Sequence, residues 1–325
     1  MPFLKKDIDK ARDAFCVYDN ISDKDDLYRF IPKALSSDFV CANGPPGTGK
    51  SKILHAIAFT YSFLSPQNAP TFLTLTAHQT EGNDLFFKVQ KALNAANGGN
   101  VKRLYVKSAL KHIIGGTSLL IDEASLIPLS DMKAILAQAK KVSCPVCIVG
   151  DTLQIIPKKI ESGFPFALSK AKTIIEFKKI FRQENPDHKK ATILLREGKI
   201  KQALMLYNKL GCFHFYDDME TLFSDLTRDF DQAPPDPRAR VRVVLTPSAA
   251  DRLIVRKHGL PTEKIDDVQG ISQISAFVCL LKRQVISLPH LLVLLSRHKK
   301  TLKIYVAKSA FCDINDLCTN IHTAS

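Results

Sequence analysis

An α/β fold in two lobes, each a mostly parallel sheet flanked by helices, is what this 325-residue chain predicts. Three observations predict it. From about residue 36 to 175, short apolar runs alternate with helical stretches, the pattern of a parallel sheet covered on both faces. The first run, Phe39-Val40-Cys41-Ala42, feeds a glycine-rich turn and then a helix. A second strand-rich block follows the loop Ala233-Pro234-Pro235-Asp236-Pro237.

In chain order, residues 1–35 read as a charged helical lead-in, Lys5 to Asp19 and then Asp23 to Ile31. Strands are expected at Phe39–Ala42, Thr71–Thr76, Leu104–Val106, Ser118–Ile121 and Val146–Val149. Lys189 to Leu210 carries helical apolar spacing, broken near Gly198. Further strands are expected at Val241–Thr246, Ala276–Leu281, Leu291–Leu295 and Leu302–Val306. The domain reading is a lead-in at 1–35, a first lobe at 36–180 and a second at 181–325.

Gly44-Pro45-Pro46-Gly47-Thr48-Gly49-Lys50-Ser51 fits G-x-x-x-x-G-K-[ST], the phosphate-binding P-loop. Its flanks are a strand before and a helix from Ser51 onward, as the motif requires. Glycines let backbone N–H groups turn inward around a phosphate, and the helix N-terminus adds partial positive charge. Lys50 reaches the β- and γ-phosphates in this reading, and Ser51 places its hydroxyl on Mg²⁺. The implied cofactors are ATP or another NTP and Mg²⁺.

Ser118-Leu119-Leu120-Ile121-Asp122-Glu123 is an apolar strand ending in two acids, the Walker B pattern downstream of a P-loop. Asp122 would hold Mg²⁺, and Glu123 would orient and deprotonate the attacking water. Ile148-Val149-Gly150-Asp151-Thr152-Leu153-Gln154 is a third strand with a polar tip. Its tip is expected beside the acidic pair, at the carboxyl ends of the strands, where open α/β sheets bind ligands. Gln154 is expected to contact the γ-phosphate. Phosphoryl transfer concentrates negative charge on the γ-phosphate, which an arginine from a second lobe would stabilise. Arg182, at the lobe boundary, and Arg297, after an apolar run, are the candidates.

The net charge of +14 favours a polyanionic partner, most simply nucleic acid. With no Trp and 8% aromatic residues, an aromatic-rich stacking surface is excluded. Eight cysteines sit mostly in apolar runs, as in a reduced compartment. Cys144-Pro145-Val146-Cys147 invites a zinc or redox reading, but it lies in a strand-like run with no second pair at zinc spacing. The longest apolar run, Leu288 to Leu295, is too short to span a bilayer and carries Pro289 and His290. The start, Met1-Pro2-Phe3-Leu4-Lys5-Lys6, lacks a signal-peptide core. The protein is therefore expected to be intracellular, without an integral membrane segment.

The order of these motifs resembles a superfamily 1 helicase over roughly residues 38–310. The P-loop is its motif I. Thr74-Leu75-Thr76-Ala77-His78-Gln79 is similar to motif Ia, and Val106-Lys107-Ser108-Ala109-Leu110 to the short motif after it. Asp122-Glu123 is motif II, and Gly150–Gln154 motif III. Arg182 resembles the motif IV arginine. Val268-Gln269-Gly270 matches the end of motif V, and Ser296-Arg297-His298 motif VI. Two stretches point to helicases of alphavirus-like plus-strand RNA viruses, of the tobamovirus replicase type. They are Gly150–Pro157 with Ser162–Phe166, and Leu292–Lys303. Lys264 stands where that family usually has Thr, and Asp266 where it usually has His.

The resemblance implies two RecA-like lobes, NTP-driven translocation 5′ to 3′ and unwinding, with RNA favoured over DNA, in viral genome replication in the host cytoplasm. Other replicase subunits are implied partners. Gln269 and Gly270 would link the second lobe to the nucleotide, and Thr76, His78, Ser108 and Thr246 would meet the single strand. Three other readings stay open: an RNA 5′-triphosphatase at the same site, a helicase-like RNA-binding movement protein or silencing suppressor, and a DNA helicase of the same superfamily.

Overall fold

The computed structural model describes residues 4–22, 26–45, 47–77, 79–154, 160–235, 242–263, 265 and 273–322. The chain divides into two compact units, Met1–Lys179 and Ile180–Ser325.

The first unit runs α1 (Lys5–Tyr18), α2 (Asp26–Leu35), β1 (Phe39–Asn43), α3 (Lys52–Leu64), β2 (Thr71–Leu75), α4 (Gln79–Ala96), β3 (Val101–Leu104), β4 (Thr117–Ile121), α5 (Leu129–Lys141), β5 (Val146–Gly150), α6 (Phe164–Lys170) and β6 (Thr173–Glu176). Its strands form one sheet in the order β3-β2-β4-β5-β1-β6, every neighbouring pair parallel. Side chains alternate across a strand, so each strand feeds two cores. Val40, Ala42, Phe72, Leu120 and Val149 pack with α1 to α4 on one face. Cys41, Leu73, Leu75, Leu119, Ile121 and Ile148 pack with α5 and α6 on the other.

The two leading helices belong to this core. The Phe15 ring meets Phe59 of α3 edge-on at 5.4 Å, and Tyr18 stacks on the same ring at 5.5 Å. Phe30 meets Phe177 at 4.9 Å.

The second unit runs α7 (Pro186–Arg196), α8 (Ile200–Lys209), β7 (Phe213–Tyr216), α9 (Met219–Gln232), β8 (Val244–Leu245), α10 (Ala249–Lys257), β9 (Thr262–Glu263), β10 (Gln273–Leu280), β11 (Ile286–Ser287), α11 (Leu288–Ser296), β12 (His298–Ala307), α12 (Ile314–Thr319) and β13 (Ile321–His322). A parallel sheet in the order β7-β12-β10-β8-β9 forms its centre, and β11 pairs with β13.

Two expectations from the sequence are corrected. Leu291–Leu295 is not a strand but the middle of α11. An apolar run buried on all sides has no periodicity to read, and the local signals are helical. Ser287 caps the helix by accepting the His290 N–H, and Pro289 lies in the first turn, where its missing N–H costs nothing. The strand expected at Leu104–Val106 lies earlier, at Val101–Leu104, and a 3₁₀ stretch covers Val106–His112. Lys102 and Arg103 hid it, because an edge strand tolerates charge that a central strand does not.

Candidate active site

The strand–loop–helix context places the P-loop between β1 and α3. Gly44 sits where no side chain fits: a Cβ there would lie 2.5 Å from the Phe177 carbonyl oxygen. Gly47 and Gly49 have φ of 80° and 78°, the left-handed region that side chains disfavour. Thr48, buried, donates its hydroxyl to the Pro45 carbonyl at 2.9 Å. Lys50, also buried, donates Nζ to the same carbonyl at 3.2 Å. The N–H groups of Lys52, Ile53 and Leu54 close the first helical turn on the carbonyls of Gly49, Lys50 and Ser51. The loop is thus held by its own side chains, with the ammonium drawn inward. Pro46 lies outside the described residues.

Asp122 leaves the end of β4, its N–H bonded to the Leu75 carbonyl at 3.0 Å. Its carboxyl is pushed up to about 6, by burial first and then by the charge of Glu123. A hydrogen bond from Ser51 and the charge of Lys50 act against that rise. A divalent cation fits this pair, because Ser51 hydroxyl and Asp122 carboxylate are hard oxygen donors and the buried carboxylate lacks full compensation. Glu123 has left-handed backbone (φ 50°, ψ 39°) and donates its N–H to Asp122 Oδ1 at 2.9 Å. That conformation costs a non-glycine residue about 1–2 kcal/mol.

The tip of β5 completes the group. Gln154 donates Nε2 to Glu123 Oε2 at 2.7 Å. Its Oε1 is buried without a hydrogen-bond partner among the described residues. The tip is fixed by residues whose part the sequence did not reveal. Ser125, just past the acidic pair, donates Oγ to the Asp151 carbonyl at 2.7 Å and accepts the Asp151 N–H at 2.8 Å. Asn43, at the end of β1, accepts the Thr152 N–H at 3.2 Å and donates to Glu176 at 3.2 and 3.3 Å. The usable signal was strand adjacency: β4 and β1 flank β5, so polar residues at their ends meet its tip.

Lys50, Ser51, Asp122, Glu123 and Gln154 are therefore brought together in the first unit. Thr76 follows β2 at the same sheet end and is buried. Ser108 lies in the 3₁₀ stretch and donates to the Tyr105 carbonyl at 3.2 Å. Arg182, Arg297 and Thr246 belong to the second unit. Arg297 is buried and donates Nε to the Val293 carbonyl at 3.3 Å, while Arg182 is half-buried. Thr246, buried, donates to the Ser248 carbonyl at 3.4 Å. His78, Ile155, Ile156, Pro157, Lys264, Asp266, Gln269 and Gly270 lie outside the described residues. Cys147 is interior to β5, and burial raises its thiol far above the usual range. Cys144, also buried, takes a 3.5 Å bond from the Thr117 hydroxyl. No described helix is long and apolar enough to cross a membrane.

Comparison with known proteins finds likeness in fold and in a family model. Among solved structures, the arterivirus nonstructural protein 10 helicase superposes with TM-score 0.55 at 16% identity, covering 90% of this chain and 63% of that one. A DNA complex of an arterivirus nonstructural protein 10 gives 0.54 at 18% identity, covering 88% and 64%. The Pif1 helicase of Candida albicans gives 0.50 at 12% identity, covering 91% and 98%. At these identities the likeness is one of fold, the RecA-like fold of helicases. Conjugal transfer protein TraA of Agrobacterium fabrum (strain C58) is 30% identical over 121 residues, 36% of this chain and 11% of that protein. The chain thus spans about a tenth of that relative and under two thirds of the arterivirus protein. Residues 28–218 match the family model described as AAA domain, which takes in the P-loop, the acidic pair and the β5 tip over more than half of the chain. The chain belongs to the AAA domain family.

Proposed function

We propose that this chain is an NTP-driven helicase, a superfamily 1 motor that hydrolyses ATP or another NTP to move along and unwind nucleic acid. The observation that carries the reading is the meeting of three strand ends on one P-loop, with Gln154 on Glu123 and Ser51 on Asp122. Lys50 and the backbone of Gly44, Pro45, Gly47, Thr48 and Gly49 bind the phosphates. Ser51 and Asp122 hold Mg²⁺, which when bound neutralises charge on the phosphate oxygens. Glu123 orients the water and takes its proton. Gln154 holds Glu123 on line. Arg182 and Arg297 stabilise charge on the γ-phosphate, as the resemblance implies.

The net charge supports a polyanionic track, with affinity falling steeply as salt rises. Single-stranded RNA, in viral genome replication inside a host cell, is the track that the two tobamovirus-like stretches favour. A DNA track is the second reading, supported by the relative named for conjugal transfer and by the solved helicase complex with DNA.

The test is ATP hydrolysis by the wild type and Lys50→Ala, each with and without single-stranded RNA or DNA. Turnover that rises with one polymer and is lost in the variant establishes a coupled motor and names its track. Turnover indifferent to both polymers overturns the motor reading and returns the chain to the triphosphatase or the helicase-like RNA-binding alternative.

A further inference from the structure

Gln183 and His298 each follow one of the two candidate arginines, and they touch. Gln183 Nε2 lies 3.4 Å from His298 Nε2, and both side chains are buried. One step further along each segment, the Glu184 N–H donates to the Lys299 carbonyl at 2.8 Å. The segments carrying Arg182 and Arg297 therefore run side by side within the second unit. Arg297 is tied on its other side too, its carbonyl accepting the Gln273 N–H at 2.9 Å where β10 begins.

The contact belongs to a buried polar chain. His298 Nε2 and His188 Nδ1 share a 2.8 Å hydrogen bond. His188 Nε2 lies 3.6 Å from the Cys212 sulfur. Gln183 Nε2 donates to Thr192 Oγ1 at 2.9 Å, and Thr192 shares a 2.9 Å bond with the Tyr207 hydroxyl. The Tyr207 hydroxyl reaches the Leu295 carbonyl at 3.4 Å, two residues before Arg297. In one proton assignment Cys212 S–H donates to His188 Nε2, and His188 Nδ1–H and Gln183 share His298 Nε2 as acceptor, while His298 Nδ1 is buried without a hydrogen-bond partner among the described residues. Burial favours the neutral form of both imidazoles, as this assignment requires. An apolar core would hold these segments together yet let them slide. A buried hydrogen-bond chain cannot slide without leaving polar groups unsatisfied.

We propose that Gln183, His298 and His188 are positioning residues that hold Arg182 and Arg297 in one register, so that the two guanidinium groups act on the nucleotide phosphates as a pair. The inference rests on the helicase reading above. A pair of charges delivers its stabilisation only where both meet the transferring group together, and small misplacements are expensive in rate.

The experiment uses the full chain, with ATP hydrolysis and thermal midpoint measured for each variant. Hydrolysis by the wild type that rises with single-stranded RNA or DNA and that Lys50→Ala abolishes secures the parent reading, and its absence overturns both. With that reading secured, His298→Asn, too short to place an acceptor at Nε2, should lower kcat about tenfold with the nucleotide KM little changed. His298→Gln, whose amide oxygen reaches that position, should restore most of the loss. In an Arg182→Ala background, His298→Asn should cost less than about twofold, because the pair is already broken. A folded His298→Asn with unchanged kcat overturns the inference, as does a full tenfold loss in the Arg182→Ala background. Gln183→Met, similar in length and apolar, breaks the same contact from the other side if His298→Asn does not fold. It should reproduce the kcat loss, and normal kcat there overturns the inference.

Discussion

Gln154 and Glu123 share a 2.7 Å hydrogen bond between the tips of β5 and β4, amide donating to carboxylate. The bond sets where the Glu123 oxygens point, and a general base is useful only where it meets its water. If Glu123 is the general base, Gln154→Ala should therefore lower kcat by roughly 10–100-fold, part of the roughly 10²–10⁴-fold that a positioned base contributes, with a smaller change in KM. Steady-state ATPase kinetics decide it, and an unaffected kcat would show that Glu123 needs no such guide.

Ser125→Ala removes one hydroxyl that serves both backbone groups of Asp151. Both are left buried without that partner, a cost of about 1–3 kcal/mol. The expected result is a lower midpoint in urea with an unchanged slope, together with slower hydrolysis. A midpoint equal to wild type would mean that the β5 tip has another anchor.

Gly44→Ala forces a methyl group against the Phe177 carbonyl. Gly98→Ala is the matched control: its φ of +84° imposes left-handed strain, and nothing lies within 4 Å of its added Cβ. The control should lose about 1–2 kcal/mol from backbone strain alone. Gly44→Ala should lose more, and should also weaken nucleotide binding measured by equilibrium titration.

The paired imidazoles set a stability limit in acid. His298 is held down at about 3, by burial first and then by the neighbouring His188, and His188 is itself lowered by burial. The unfolded chain protonates these groups near pH 6.5, well before the folded chain does. The His298 contribution is therefore fully present above that pH and is lost as pH falls towards 3, at up to about 1.4 kcal/mol per unit, with His188 acting in the same direction. Unfolding free energies across pH 4–7 should show a shallower acid slope for His298→Gln than for the wild type. Equal slopes would place the acid sensitivity elsewhere.

Much of the first unit was legible because its chemistry is contiguous. Gly44 to Ser51 needs no distant partner to be recognised, and Asp122-Glu123 and Gln154 each end an apolar run. Ser125 and Asn43 were not legible as anchors, since their partners follow from strand order, which spacing alone does not give. The second unit was harder to read. α11 is buried nearly all round, so its leucines carry no stripe, and β7, like β6 of the first unit, is too short and mixed to announce itself. The Gln183–His298 contact joins residues 115 positions apart, beyond the reach of any local pattern.

The rings of Phe15 and Tyr18 on Phe59 carry a practical lesson for anyone trimming this protein. Phe59 belongs to the helix whose first turn closes the phosphate loop. A fragment begun at the first strand would expose an oily seam along that helix, and copies of the fragment would cover it by sticking to one another. The opening helices cover that seam, and a minimal fragment must keep them.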